Sequence, residues 1–211
     1  MSLQTIVFAG PSLTPAIIQL ITEKGFTLFP PIKRGDLQGL INNGFKGRIV
    51  IADGVFQQVL SVGHHEIKNV IASGCEVLGV SSMGAIRAYE LRQYGMQGHG
   101  KVYSHFLEYE DFMDDEVALL FDPIPPYRII SEPLVHFREC VSCLIDDGQI
   151  SPDKGNQVIE KLKQLYFGER TLHVFEELIF NATGRRLNQL INNFDIFRCK
   201  SSDLFDCVSL L

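Results

Sequence analysis

The first half of the chain repeats one pattern: a short apolar run, a turn rich in Gly, Ser or Asp, then a stretch with helical spacing. The apolar runs are Thr5–Ala9, Phe26–Phe29, Arg48–Ala52 and Glu76–Val80. They read as apolar throughout rather than on one side only. That is the habit of strands covered on both faces, hence of a parallel sheet. The predicted fold is α/β: a Rossmann-like parallel sheet with helices on both faces, followed by a mostly helical C-terminal part. Thr14 and Pro15 suit the cap and first position of a helix whose apolar face is Ile17, Ile18, Leu20 and Ile21, ended by Gly25. Asp36 is predicted to cap a short helix running to about Asn43. Gln57–Ser73 reads as a helix, or as two pieces broken near Gly63.

The stretch Glu76–Leu91, EVLGVSSMGAIRAYEL, carries the strongest local signal. It reads as a strand, a sharp turn and a helix whose first amides point back over the strand end. Such a helix start offers unpaired N–H groups and partial positive charge to an anion or oxyanion. Ser82, followed by Gly84, approaches the nucleophile elbow of hydrolases, although Val80 stands where a small residue is usual. Ser81 or Ser82 equally fits a plain helix cap.

In a parallel sheet ligands gather at the carboxyl ends of the strands. Ser12, Asp53 and Ser82 each follow a strand, and Arg34 and Asp36 follow another, so a rim for a phosphate-like or carboxyl-like group is predicted there. Asp53 suits a base, a metal ligand, an orienting acid, or simply an Asp-Gly turn. An unperturbed imidazole titrates near working pH, which makes His64 a candidate base, with Glu66 two residues on; His65 points to another side of the helix. Arg87 and Glu90 share a helix face, and either pair with each other or reach a carboxylate. Asp114, Asp115 and Glu116 read as a solvated helix start in preference to a divalent-metal site.

Beyond Leu91 the pattern changes. Gly95–Gly100 reads as a flexible link, Lys101–Glu108 as an extra strand, Asp111–Leu120 as holding a short helix, and Tyr127–Ser131 as a further strand. Helices are predicted over 133–147, 152–166, 171–182, 184–193 and 201–210. Residues 1–110 are assigned to the sheet domain and 111–211 to a helical part packed on it.

The net charge of -6, with scattered Lys and Arg, argues against a nucleic-acid surface. No apolar run approaches membrane-spanning length, and the opening residues lack a basic leader, so a cytoplasmic address is expected. Five cysteines at irregular spacing suggest thiols rather than disulfides. Cys140 and Cys143 have redox spacing but sit mid-helix, which suits core residues. No dinucleotide fingerprint or P-loop occurs, so neither cofactor nor metal is expected.

Taken together, several segments resemble the TfuA-like core domain, in chain order: Val7–Leu13, Pro31–Leu37, Ile51–Phe56, Ser61–Ile67, Ser82–Leu91, Tyr94–Gly98 and Asp114–Ala118. The resemblance covers about residues 5–120 and leaves out the helical part. It implies a role beside a YcaO-type enzyme, which activates a backbone amide with ATP for thioamidation. The TfuA-like partner would supply sulfur by hydrolysing the thiocarboxylated tail of a ubiquitin-like sulfur carrier. Under that implication Ser82 is nucleophile or water anchor, the amides of Met83 and Gly84 form the oxyanion site, and His64 is the base oriented by Asp53 or Glu66. Arg87 or Arg34 holds the carrier's terminal oxygen or the leaving hydrosulfide. Ser12, Asp36, Glu90, Asp115 and Glu116 complete the expected binding set. The alternatives are a non-catalytic adaptor for YcaO or the carrier, and an unrelated small-molecule hydrolase marked by phosphate at Gly10-Pro11-Ser12. The oligomeric state is not legible.

Overall fold

The computed structural model describes residues 3–55, 59–186 and 192–211. The chain divides into two compact units, residues 1–112 with 200–211, and residues 113–199.

The first unit holds a five-stranded sheet in the order β2-β1-β3-β4-β5. Its strands are β1 (Thr5–Phe8), β2 (Thr27–Phe29), β3 (Arg48–Ile51), β4 (Glu76–Gly79) and β5 (Gln97–Gly98). All neighbouring pairs are parallel. The helices of this unit are α1 (Pro15–Glu23), α2 (Asp36–Asn42), α3 (His64–Ala72), α4 (Met83–Leu91), α5 (Lys101–Glu108) and the last helix of the chain, here α9 (Cys199–Leu210).

Side chains alternate between the two faces of each strand, and both faces are covered. Ile6, Phe8, Ile49, Ile51 and Val77 pack with Leu37 of α2, Ile67 and Val70 of α3, and Ala88 and Leu91 of α4. Val7 and Val50 turn the other way and meet Ile17 and Ile21 of α1 together with Leu204, Cys207 and Val208 of α9. The α/β fold expected from the apolar runs is therefore present. The second face, however, is closed in part by a helix from the far end of the chain, so Lys200–Leu211 belongs to the first unit.

Local signals placed several boundaries. Thr14 Oγ1 accepts the Ile17 amide at 3.3 Å, and Gly25 takes φ +68° after α1. Two segments near the sheet edge differ from expectation. Gln97–Gly98 is a strand rather than a flexible link, paired Leu78 to Gln97 and Gly79 to Gly98. Lys101–Glu108 is a helix, not a strand, because Asp203 of α9 accepts the Lys101 and Val102 amides at 2.7 and 2.9 Å and so caps it. That cap lies about a hundred residues away in sequence and leaves no local trace.

The second unit contains α6 (Leu134–Asp146), α7 (Pro152–Lys163) and α8 (Leu172–Thr183). Their apolar faces meet in one cluster, with Phe137, Leu144, Val158, Leu162, Phe175 and Ile179 at its centre and Phe194 and Phe197 added from a following 3-10 turn. Asp114–Glu116 is a single 3-10 turn, shorter than the expected helix. Tyr127–Ser131 contributes only an isolated antiparallel bridge, Phe121 to Ile129, rather than a strand. The helix expected over Gln57–Ser73 is confined to His64–Ala72: residues 59–63 are irregular, and 57 and 58 lie outside the described residues. The helix expected over 184–193 falls largely outside them as well.

Candidate active-site rim

The turn between β4 and α4 is built on two close approaches. A Cβ on Gly84 would lie 1.7 Å from the Ile51 carbonyl oxygen, and one on Gly79 would lie 2.0 Å from the Gly84 oxygen. Only glycine lets the helix begin directly over the ends of β3 and β4. The Ala52 carbonyl oxygen accepts both the Ser82 and the Gly84 amides at 3.2 Å. Gly84 therefore has no amide to spare for an oxyanion. The Met83 amide has no hydrogen-bond partner among the described residues.

The two serines divide the work of the turn. Ser81 is fully buried at φ +65°, a left-handed conformation that costs a non-glycine residue roughly 1 kcal/mol or more. Its hydroxyl donates to the Lys200 carbonyl at 2.7 Å, tying the turn to α9. Ser82 is 2% exposed and stands at the cap position of α4, yet its hydroxyl does not cap the helix. It has no hydrogen-bond partner among the described residues.

Asp53 is buried beside this turn, one residue beyond Ala52. Its Oδ2 accepts the Gly10 and Ser12 amides at 2.8 and 2.9 Å, and its Oδ1 accepts the Ser12 hydroxyl at 2.8 Å. The carboxylate locks the loop after β1 onto the end of β3. Ser12 is thus committed to Asp53 rather than to a bound anion. The amides that would have cradled a phosphate at Gly10-Pro11-Ser12 already hold a carboxylate, which removes the support for the phosphate-marked alternative.

His64 is oriented by neither Asp53 nor Glu66. Its Nε2–H donates to Glu90 Oε2 at 2.7 Å, and Arg87 Nη1 donates to the same oxygen at 2.6 Å. Arg87 Nε also donates to the Val62 carbonyl, which fixes the start of α3 against α4. Burial alone would raise the Glu90 carboxyl, but the hydrogen bonds and charges of His64 and Arg87 outweigh it and hold the carboxyl below its ordinary value. Glu66 instead spans two loops: Oε1 accepts the Gly63 amide at 3.2 Å and Oε2 the Gly35 amide at 2.7 Å. Asp36 accepts the Lys33 amide at 2.9 Å, which closes its own turn ahead of α2. Arg34 Nε donates to the Ser61 carbonyl at 3.4 Å.

The acidic pair of the second unit is structural. Both Glu116 oxygens accept from Arg138, at 2.8 and 2.7 Å, in a fork that is nearly closed to solvent on the carboxylate side. Asp115 accepts from Arg170, which is 1% exposed and also donates to the Leu162, Lys163 and Leu165 carbonyls. Glu132 is held the same way, by Arg198 at 2.6 Å and His136 at 2.8 Å. Asp115 and Glu116 are therefore tied up in ion pairs rather than facing a ligand. No cluster suited to a metal ion occurs among the described residues. Burial pushes the Cys140 thiol far above its ordinary value, and desolvation followed by the Asp147 charge raises Cys143, so this pair lacks the low-pKa thiolate of a redox motif.

A parallel α/β sheet with a serine turn at its strand ends and an ion cluster on the adjoining helices α3 and α4 describes the first unit. The chain belongs to the TfuA-like family: the family model for TfuA-like protein matches residues 53–171. The match begins at Asp53, so it does not reach Val7–Leu13 or Pro31–Leu37 of the expected 5–120 span, and it continues past residue 120 to take in α6 and α7. Within that span Glu116 pairs with Arg138 of α6, and Asp115 pairs with Arg170, which also bonds carbonyls at the end of α7. No curated protein matches the chain. Among the described residues, no helix is long and apolar enough to cross a membrane.

Proposed function

We propose that this TfuA-like protein works beside a YcaO-type enzyme in backbone thioamidation, releasing sulfide from the thiocarboxylated end of a ubiquitin-like sulfur carrier. The reaction adds water to the thiocarboxylate carbonyl and expels hydrosulfide, leaving a carboxylate and one proton. Family membership supports the context. The observation that carries the chemistry is the first turn of α4, where the Ser82 hydroxyl and the Met83 amide are both unspent.

In this reading Ser82 Oγ attacks the carbonyl or anchors the attacking water. The Met83 N–H faces the developing oxyanion, a contribution of about 3 kcal/mol for a single donor. His64 takes the proton. With its Nε2–H given to Glu90, Nδ1 is the basic nitrogen, and Glu90 replaces Asp53 and Glu66 as the orienting acid. Arg87 holds Glu90 in place, and Arg34, which has no carboxylate partner among the described residues, attracts the negative carrier end. The test is sulfide release from a thiocarboxylated carrier by the purified chain. Ser82→Ala and His64→Ala are each expected to reduce it roughly a hundredfold. Full release by both variants would remove the assignment.

One observation favours a second reading, a non-catalytic adaptor: no base is hydrogen-bonded to Ser82. Co-purification with a YcaO-type enzyme, without sulfide release from any thiocarboxylated carrier, would decide for it.

A further inference from the structure

A slot of about 170 Å³ opens at the carboxyl ends of β1 and β2. Phe8, Phe29, Pro31 and Leu40 give it apolar walls, and Lys33 and Asp36 line it as well. The chain after β2 stands between this slot and the serine turn. There Ile32 pairs with Gly54, its amide donating to the Asp53 carbonyl at 2.8 Å and its carbonyl accepting the Val55 amide at 3.3 Å. The slot is a separate hollow of the first unit, and no role proposed for Ser82, Met83 or His64 uses it.

Size and charge together restrict what fits. An apolar cavity of roughly 150 Å³ accommodates one benzene, so the slot takes one group the size of a leucine or phenylalanine side chain and is too small for a nucleotide. The Phe8 and Phe29 rings lie 5.3 Å apart and touch each other, which leaves no gap for a flat base between them. Asp36 Oδ2 accepts the Lys33 amide at 2.9 Å, which fixes the carboxylate beside the slot. Asp36 Oδ1 and the Lys33 ammonium have no partners among the described residues. A purely anionic ligand meets repulsion from Asp36, and a purely cationic one from Lys33; a neutral one gains from neither. A ligand carrying both charges next to an apolar group satisfies all the lining residues at once.

We infer that this slot binds a free α-amino acid with a medium-sized apolar side chain. The side chain lies against Phe8, Phe29 and Leu40, the ammonium donates to Asp36 Oδ1, and the carboxylate accepts from Lys33. An α-amino acid holds its two charges on one carbon beside its side chain, as the slot holds Lys33 and Asp36 in one turn beside its apolar walls. The site is independent of the sulfide-release reading and stands or falls without it. The test is calorimetric titration of the full chain with L-leucine, N-acetyl-leucine, leucinamide and glycine. Leucine is expected to bind saturably. The other three, which lack the cation, the anion and the side chain in turn, are each expected to bind roughly tenfold more weakly or less well still. Lys33→Ala is expected to weaken leucine about tenfold and to leave leucinamide unchanged. Asp36→Asn, which keeps an oxygen for the Lys33 amide, is expected to narrow the gap between leucine and N-acetyl-leucine. Absence of saturable leucine binding overturns the inference, and so does equal affinity of the native chain for leucine and any of the three analogues. An equal loss of leucine and leucinamide in Lys33→Ala overturns it too.

Discussion

The two units pair their buried charges alike and differ at a single hydroxyl. In the second unit, Glu116, Glu132 and Arg170 are nearly closed to solvent, and each is matched by charged or carbonyl partners. In the first unit, Asp53 and Ser81 are spent just as fully, whereas the hydroxyl of neighbouring Ser82 bonds to nothing among the described residues. Buried charge alone is therefore a poor guide to function here. Structural ion pairs use up their hydrogen-bonding capacity, and a site for a ligand keeps some in reserve.

The largest expected effect lies in the second unit. Arg170→Ala removes donors from four carbonyls and from the Asp115 carboxylate, and should cost about 4 kcal/mol, read as a lower denaturant midpoint. Ser82→Ala should change stability by less than about 0.5 kcal/mol, because its hydroxyl bonds to nothing among the described residues. Equal losses from the two variants would break the comparison.

The units should also respond to pH with opposite slopes. Burial raises the Asp203 carboxyl from 3.8 to about 6, against the pull of the Val102 and Lys101 amides. The folded first unit thus binds this proton more tightly than the unfolded chain. The resulting stability is full below pH 3.8 and is lost as pH rises through about 6, a change of about 3 kcal/mol. For Glu132, burial pushes upward, but His136 and Arg198 prevail and lower the carboxyl. Its stabilisation is present above the ordinary carboxylate value and is lost as pH falls. Glu90 has the same sign in the first unit, but its partial exposure screens it. Segment-resolved hydrogen exchange at pH 4 and pH 7 should show the first unit loosening as the second tightens. Asp203→Asn should flatten the first trend.

Sulfide release should fall roughly a hundredfold in Ser82→Ala with folding intact. Ser81→Ala is expected to do the reverse, lowering stability by about 1 kcal/mol through the lost bond to the Lys200 carbonyl. A Ser81 variant that lost activity while keeping its stability would exchange the roles assigned to the two serines.

Much of the rim was legible before any coordinates. Ser12, Asp53 and Ser82 lie at strand ends because their positions follow from where the apolar runs stop. Their roles were less legible, since residue type at a strand end does not say what a side chain will meet. Asp53 and Glu66 have the chemistry to orient His64, yet each is captured by loop amides, and Glu90 does the orienting. The contribution of Ser81 was missed. Its only local signal is a serine in a turn tight enough to demand positive φ, and the partner that holds it there comes from α9.

The order of elements in the first unit, the coverage of its sheet and the helical character of the second follow from local apolar spacing, which any fold built from this chain must bury. Only the tertiary structure decided that the final helix returns to the sheet, that Lys101–Glu108 coils into a helix under Asp203, and which of two adjacent serines keeps a free hydroxyl. Each of these depends on groups brought together across long stretches of chain, where sequence proximity carries no information and contact energy makes the choice.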